Sequence, residues 1–385
     1  MRRSAAKFGI IRDMKLHTAQ ILALLAIAGL AGCNPGDGTQ QFADGERAYA
    51  ARDLRKAEKL FARAAELDPA NADAFLMLAR ARLDLGDLEG AKGAADSASV
   101  LAGGDCDIAA TVAQIAYHIG DYDAAEKGFL RLAEDVALSP HIRSQAYTDL
   151  GIVQMTREER DAARVSFLAA LKLDRRRNPA AYYHLGMLYR DAYSYAEAAQ
   201  EQFELFVRLP DAPVDKVLKV QRDVLPAIRE KILRATAQVP NAANRDSQAS
   251  AAALEKAEAA AKKGNYKVAL EQYKVALQKD PLSYPAAIGI ARAYARDKAA
   301  ASRKSAFDAY CTAAKLKPMH MQTLLDAARL AGEQRQWITA VELYSRAVAA
   351  NPVKLDAIDG LIRALENVPG NAKTARLYLK YRKML

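Results

Sequence analysis

The stretch that decides the fold, residues 324–352, reads LLDAARLAGEQRQWITAVELYSRAVAANP. Small and apolar residues recur in it at helical spacing on both sides of a short polar interruption, which predicts two helices joined by a turn. Alanine at facing positions lets two antiparallel helices approach to about 8 to 10 Å, and an aromatic ring fills the joint. The register is carried by Leu324, Ala327, Ala328, Ala340, Tyr344, Ala347 and Pro352. The pattern specifies a way of packing and implies no catalytic group.

The same register returns along the chain about every 34 residues, the period of the tetratricopeptide repeat. A second clear copy reads Gly45, Ala57, Phe61, Ala64 and Pro69. On these residues the sequence resembles tetratricopeptide-repeat proteins. The resemblance implies an all-α fold, a right-handed α-solenoid of tetratricopeptide helix pairs in two arrays.

The register predicts an N-terminal array over residues 39–210, with about five repeats. Its predicted units are 38–71, 72–105, 106–139, 144–177 and 179–210. In the fifth unit the markers after Tyr189 are displaced by one residue, which predicts a longer turn around Tyr193 to Tyr195.

An amphipathic segment, residues 211–238, follows the array and lacks repeat markers, so it is predicted to be a capping helix. Pro226 should kink or break it. Residues 239–250, rich in Asn, Gln, Ser and Ala, are predicted to form a linker. Residues 251–385 then form a C-terminal array of about three repeats plus a degenerate cap, with three extra residues near 299–301.

The amino terminus reads as a lipoprotein signal peptide over residues 1–32, with Met14 as a possible true start. A short apolar core ends in Leu30-Ala31-Gly32-Cys33, which resembles the lipobox of bacterial lipoproteins. The resemblance implies cleavage before Cys33, acylation of that cysteine with palmitate or a similar chain, and a tether over 33–38. It places the protein in the bacterial cell envelope, and Asn34 favours the outer membrane, facing the periplasm. The alternative is an ordinary buried cysteine after a signal anchor.

Charge gives little support for nucleic-acid binding. The chain carries a formal net charge of +10, of which residues 1–32 contribute +4. The one dense basic run, Arg175 to Arg177, falls in a predicted turn between repeats and is interpreted as solvated, with an anionic membrane or cell-wall contact as the alternative. We therefore predict no nucleic-acid partner.

Catalytic motifs are missing from the sequence. It contains no glycine-rich phosphate loop, no Gly-x-Ser-x-Gly elbow and no His-Glu-x-x-His pair, so we predict no enzyme activity, no cofactor and no metal site. Cys106 and Cys311 fall in different repeats, too far apart for a disulfide, and are predicted to be free, mostly buried thiols.

Binding residues are predicted from the register. In the repeat family, places 2, 5, 9 and 12 of each first helix share one stripe that lines a concave groove. The resulting candidate groove residues are Arg80, Tyr117, Met155, Tyr183, Met187, Arg190, Arg292, Arg296 and Arg329. The three arginines of the second array favour a partner segment with exposed carboxylates. The alternative for each aromatic residue is packing between repeats.

Some tetratricopeptide co-chaperones hold a partner's terminal carboxylate with a lysine and asparagines at these places; here the equivalents are apolar or Arg. The mature chain is most similar to bacterial lipoproteins with tandem repeats, some of which are pilotins or assembly factors for pili, secretion pores and polysaccharide export. This predicts a non-enzymatic, membrane-anchored scaffold that binds an envelope protein in its grooves. The alternative is a cell-wall or glycan-associated accessory protein that modulates an envelope enzyme.

Overall fold

A computed structural model describes residues 38–240, 242–296 and 300–385. The predicted signal peptide, Cys33 and the tether up to residue 37 lie outside the described residues, as does part of the predicted insertion near 299–301. Within the described ranges every regular element is helical, which confirms the all-α prediction.

The first four repeats each form a pair of helices. These helices are α1 (Thr39–Ala50), α2 (Leu54–Leu67), α3 (Ala72–Leu85), α4 (Leu88–Ala102), α5 (Cys106–Ile119), α6 (Tyr122–Glu134), α7 (Pro140–Thr156) and α8 (Arg160–Leu173). Successive helices pack against each other, so each pair also contacts the next.

The fifth pair and the segment after it follow without a strand or long loop. They comprise α9 (Pro179–Asp191), α10 (Ala196–Arg208), α11 (Val214–Lys219), a π-helical turn (Val220–Val224) and α12 (Leu225–Ala237). The remaining helices are α13 (Ser247–Lys262), α14 (Tyr266–Lys279), α15 (Tyr284–Ala295), α16 (Ala300–Leu316), α17 (Met321–Glu333), α18 (Trp337–Ala350), α19 (Leu355–Glu366) and α20 (Ala372–Met384).

Helix ends follow from local chemistry. The Asn71 side chain accepts a hydrogen bond from the Ala74 backbone N–H at 3.0 Å and so caps the start of α3. That helix ends at Gly86, whose φ of 84° lies in the left-handed region that glycine adopts without strain. Gly120 ends α5 in the same conformation, so the two helices of each of these repeats are joined by a tight turn.

Packing within a repeat follows the predicted register. Phe61 is fully buried between α1 and α2, and Ala57 on the same helix is also fully buried. Ala340, predicted to lie between helices, has no exposed surface, which confirms the phase assigned to the eighth repeat.

The turn in the fifth repeat is longer than its counterparts, as predicted. In the first repeat the chain closes the turn with the Asp53 N–H donating to the Ala48 carbonyl, five residues back. In the fifth repeat the Tyr195 N–H donates to the Tyr189 carbonyl, six residues back, at 2.8 Å. Ser194 in this turn has a φ of 56°, as Arg52 does with a φ of 63° in the shorter turn of the first repeat.

The segment 211–238 is helical, as predicted, but it is not broken at Pro226. The π-helical turn comes directly before α12, and Pro226 occupies the first turn of that helix. A wider turn at this point leaves room for the proline ring and for the missing N–H. Helix α12 packs against α10 through Leu225 and Ile228, which are both buried.

The chain divides into two compact units, Met1–Ala181 and Tyr182–Leu385. The predicted linker at 239–250 lies within the second unit. The second unit includes α10 and α12 because these helices lie beside the repeats that follow: Glu197, Ile232 and Lys317 line one cavity of about 600 Å³. The linker itself is shorter than predicted, since α13 begins at Ser247.

None of the helices that the structure describes is both long and apolar enough to cross a membrane.

Candidate partner-binding grooves

A small cavity with both apolar and polar walls lies in the first unit, where the first helices of three successive repeats meet. Arg80 on α3, Asp107 and Gln114 on α5, and Gln145 and Asp149 on α7 line it, and its volume is about 50 Å³. We refer to it as the Asp149 pocket. Its inner residues Arg80, Gln114 and Asp149 are buried, whereas Asp107 and Gln145 at its rim are half-buried.

Asp149 is the unusual group in this pocket. Its side chain is 5% exposed, and its Oδ1 makes no hydrogen bond. Burial raises the pKa of Asp149 to about 7, since an ionised carboxylate loses its hydration there. Asp149 is therefore a neutral acid below pH 7 and a poorly solvated carboxylate above it.

Two predicted groove residues of the first unit, Arg80 and Tyr117, are buried, each with 5% of its surface exposed. Arg80 Nε donates to Thr111 Oγ1 at 3.2 Å, and the Tyr117 hydroxyl shares a hydrogen bond with Thr156 Oγ1 at 3.0 Å. Both side chains form hydrogen bonds between neighbouring repeats. Because they are buried, they offer little surface to a partner. Met155 is half-buried, and its binding role stays a prediction.

Tyr183, Met187 and Arg190 lie together on one stripe of α9, as the register predicted, and all three are half-buried. The Tyr183 ring packs on Phe206 at 5.3 Å between centroids, and Lys216 Nζ lies 4.8 Å from its centroid. Much of the tyrosine surface is thus used for packing.

Arg190 is already paired within its own helix. Its Nε and Nη2 donate to the two carboxylate oxygens of Asp191 at 2.6 and 2.7 Å. These hydrogen bonds raise the pKa of Arg190 above its usual value. A partner carboxylate would have to compete with Asp191 for this guanidinium.

A larger cavity in the second unit, about 470 Å³, brings two predicted arginines together. We refer to it as the Arg–Tyr groove. Its charged and aromatic wall is formed by Tyr266, Tyr273, Tyr284, Arg292, Arg296 and His320. Arg292 and Arg296 are exposed, and neither makes an ion pair with any residue that the structure describes.

Aromatic contacts hold the wall of the Arg–Tyr groove in place. The guanidinium carbon of Arg296 lies 5.4 Å from the centroid of the Tyr266 ring. The Tyr284 hydroxyl lies 2.9 Å from His320 Nδ1 and 2.7 Å from Thr323 Oγ1. His320 also caps the start of α17, so this histidine is occupied by structural hydrogen bonds.

Arg329, the third predicted arginine of the second array, is exposed on α17 but does not line the cavity. It lies 3.9 Å from Asp326 and 3.7 Å from Glu333 on its own helix, distances typical of weak surface pairs. Burial raises the pKa of Tyr310 to about 12, and the charges of Arg292 and Arg329 oppose that rise. Both arginines therefore lie near Tyr310.

The two cysteines of the described chain are free and half-buried, which confirms the prediction of free thiols. Burial raises the pKa of both Cys106 and Cys311, which makes each thiol less reactive. No group of three or more His, Cys, Asp and Glu side chains in the described ranges is arranged to hold a metal ion. Arg175 to Arg177 form an exposed bend between α8 and α9.

The sequence missed the most distinctive groups of both cavities. Asp149 stands at place 6 of its repeat, which the stripe of places 2, 5, 9 and 12 leaves out. Tyr266 and Tyr284 are the first residues of α14 and α15, and the repeat register predicts that residues there pack between helices rather than bind a partner. An acidic residue inside the apolar run around Tyr147 to Val153 was the signal that could have indicated Asp149.

Models of the family described as tetratricopeptide repeat match residues 48–115 and, in a second model, residues 148–213 and 230–284. No curated protein sequence matches the chain. These matches cover most of the first predicted repeat, the second, the start of the third, most of the fourth, the fifth, and residues 230–284, which include the sixth repeat.

Several solved structures of other proteins align with parts of the chain. PilF from Pseudomonas aeruginosa is 19% identical, with 52% of this chain and 93% of that chain covered and a TM-score of 0.41. MamA from Desulfovibrio magneticus RS-1 is 15% identical over 49% of this chain and 98% of that chain, with a TM-score of 0.38. A tetratricopeptide-repeat protein from Thermus thermophilus is 20% identical over 50% of this chain and 99% of that chain, with a TM-score of 0.39. The chain thus contains tetratricopeptide repeats, in an architecture that is all-helical over the described residues, and such repeats indicate a scaffold for protein–protein interaction.

Proposed function

We propose that this protein is a non-enzymatic scaffold, anchored to a bacterial envelope membrane through lipidated Cys33, that binds a segment of another envelope protein and assists the assembly or stability of its complex. The observation that carries the proposal is the Arg–Tyr groove. It presents two exposed guanidinium groups without ion-pair partners among the described residues, beside three tyrosines.

The chemistry of this groove selects a type of partner. Arg292 and Arg296 can each donate paired hydrogen bonds to a carboxylate, and the tyrosines supply rigid surface that is apolar except at the hydroxyl. Glu258 and Lys262, which also line the cavity, offset each other in charge. The expected partner segment therefore carries acidic residues next to apolar or aromatic ones.

The envelope location rests on the sequence. Leu30-Ala31-Gly32-Cys33 follows a short apolar core, and the first helix begins only six residues after Cys33, at Thr39. A fully extended tether of this length spans about 20 Å. A lipidated Cys33 would thus hold the first repeat close to the membrane surface, where an envelope partner is within reach.

Affinity capture tests the groove. The mature protein, with a carboxyl-terminal tag, would be used to capture partners from detergent extracts of the native cells, followed by binding measurements with the purified partner. The double variant Arg292→Gln with Arg296→Gln should weaken binding at least tenfold, because it removes both guanidinium groups from the groove.

The matched control is the double variant Arg303→Gln with Lys304→Gln. It removes the same amount of positive charge from exposed sites on α16 that do not line the groove, so it should bind normally. Equal binding by both double variants would reject the groove.

The glycan alternative has a separate readout. The purified protein would be pelleted with peptidoglycan in the presence and absence of salt. Pelleting that the groove variant abolishes, together with no protein partner in the capture experiment, would replace the scaffold proposal by a cell-wall function.

A further inference from the structure

The Asp149 pocket contains a buried acid that the fold does not use. The carboxyl has lost nearly all contact with bulk water, yet Oδ1 receives no hydrogen bond. A polar group in this condition normally finds a partner, because leaving it unsatisfied is costly. The site therefore lacks a hydrogen-bond donor.

The nearby groups do not supply that donor. Arg80 on α3 donates through Nε to Thr111 and makes no ion pair with Asp149. From α5 the pocket receives Cys106, Asp107 and Gln114, and from α6 only the apolar Phe129 and Leu132. The Gln145 amide nitrogen on α7 lies 3.0 Å from His141 Nε2, and no hydrogen bond joins the Gln114 amide to Asp149 Oδ1. Burial alone raises the pKa of Asp149, and no nearby positive charge, that of Arg80 included, lowers it again.

The size and the charge of the Asp149 pocket limit which hydrogen-bond donor it can accept. The cavity, at about 50 Å³, can hold an ammonium group with one or two methylenes, since about 10 to 15 Å³ of volume in this measure holds one water molecule. Asp107 at the rim adds a second carboxylate to the entrance, and the Gln114 and Gln145 amide oxygens can accept further hydrogen bonds. These walls suit a small cation that carries several N–H donors.

We propose that the Asp149 pocket is a binding site for a primary ammonium group, supplied by a lysine side chain of a protein partner. The three N–H donors of the ammonium meet the Asp149 carboxylate and the amide oxygens around it. The lysine stem occupies the narrow entrance between α5 and α7. This site uses other residues than the Arg–Tyr groove, so it can be correct whether or not that groove binds an acidic segment.

Binding of a cation to this acid is coupled to proton release. Below pH 7 the carboxyl is protonated, and it must ionise before it can form an ion pair with the ammonium. An acid of pKa about 7 then makes binding about tenfold tighter at pH 8 than at pH 6. Asp107 and Cys106 are the other titratable groups that line the pocket besides Arg80.

The test uses methylammonium chloride and the full chain labelled with carboxyl-¹³C aspartate. Asp149→Asn identifies the Asp149 signal by its loss. Methylammonium, at constant ionic strength, should shift that signal, lower its apparent pKa and bind about tenfold more tightly at pH 8 than at pH 6. Tetramethylammonium carries the same charge but has no N–H donor and exceeds the cavity, so it should leave the signal unchanged.

Two variants keep the outcome decisive. Asp149→Asn conserves shape and removes the buried charge, so it should fold and should lose methylammonium binding. Asp96→Asn changes an exposed carboxylate on α4 and should bind as the native protein does. A dissociation constant that is the same at both pH values, or the same in Asp149→Asn when binding is followed through the signal of Asp107 at the rim of the pocket, would overturn the proposal.

Peptides distinguish the two common sources of a primary ammonium group. Acetyl-Ala-Lys-Ala-amide presents only a lysine side chain, and unblocked Ala-Ala-Ala-amide presents only an amino terminus. We expect the blocked lysine peptide to shift the Asp149 signal. A response to the unblocked alanine peptide alone would contradict the assignment to lysine.

Discussion

The Cα of Gly151 lies against the ring of Phe167: a Cβ placed on this glycine would meet Cε1 of the ring at 2.5 Å. The two residues belong to facing helices of one repeat. Because Phe167 is fully buried, its ring cannot move away from a new side chain at position 151. We predict that Gly151→Ala lowers the free energy of unfolding by about 1 to 3 kcal/mol, because overpacking exceeds the gain in helix propensity. Chemical denaturation measures the change.

The matched control for Gly151→Ala is Gly93→Ala on α4. No heavy atom lies within 4 Å of the position that the new Cβ would take. There the higher helix propensity of alanine should act alone and stabilise the protein by up to about 1 kcal/mol. Destabilisation of the same size in both variants would show that close approach to Phe167 is not the cause.

Asn178 joins two repeats through buried hydrogen bonds. Its Nδ2 lies 2.8 Å from both Ser144 Oγ and Thr148 Oγ1, and its Oδ1 accepts from the Ala181 N–H at 3.0 Å. Asn178→Ala should lower the free energy of unfolding by about 1 to 3 kcal/mol, since it leaves these groups without their partner. Asn367→Ala, at an exposed helix end, serves as the control and should cost less than about 1 kcal/mol in the same denaturation experiment.

Asp149 should make stability depend on pH. Its pKa is about 7 in the folded protein and about 3.9 when unfolded, so the folded state binds more protons between these values and loses stability as pH rises. The stabilisation that Asp149→Asn gives over the native protein should therefore grow by roughly 3 kcal/mol from pH 5 to pH 8. Paired denaturation curves at the two pH values measure it, and a constant difference would contradict a raised pKa.

Ala340 lies between α17 and α18 with no exposed surface. Replacement by leucine adds three carbon atoms where the two helices are in contact. Ala340→Leu should lower the free energy of unfolding by about 1 to 3 kcal/mol. Ala350→Leu, at the less buried end of the same helix, is the control and should have a smaller effect on the melting temperature.

Cys33 decides the envelope proposal. Cys33→Ser should abolish labelling with radioactive palmitate and release the protein from the membrane fraction, because Cys33 is the proposed attachment site of the acyl chains. Cys106→Ser should leave labelling and fractionation unchanged. Membrane association that persists without Cys33 would point to an anchor of another kind.

The sequence was sufficient to predict the repeats because their packing depends on local spacing. A small residue such as Ala340 and an aromatic such as Phe61 each mark a contact made within one helix pair, so the phase of each repeat follows from the residues alone. The turn at Tyr193 to Tyr195 was predictable for the same reason, as one inserted residue displaces every later marker.

What the sequence could not predict depends on contacts between distant residues. Leu218 shares the apolar spacing of segment 211–238, yet it is 60% exposed, whereas Val220 is fully buried. Asp149 was missed because its lack of a partner is a property of three assembled helices, not of the register.

The π-helical turn at Val220–Val224 sets which side of α12 meets α10. A turn of this kind holds one residue more than an α-helical turn, and one residue corresponds to a rotation of about 100° around the helix axis. Without it, Leu225 and Ile228 would point roughly a quarter of a circle away from the surface they now cover. The π-helical turn thus acts as an angular spacer, and its length, more than its composition, determines which face of α12 packs on α10.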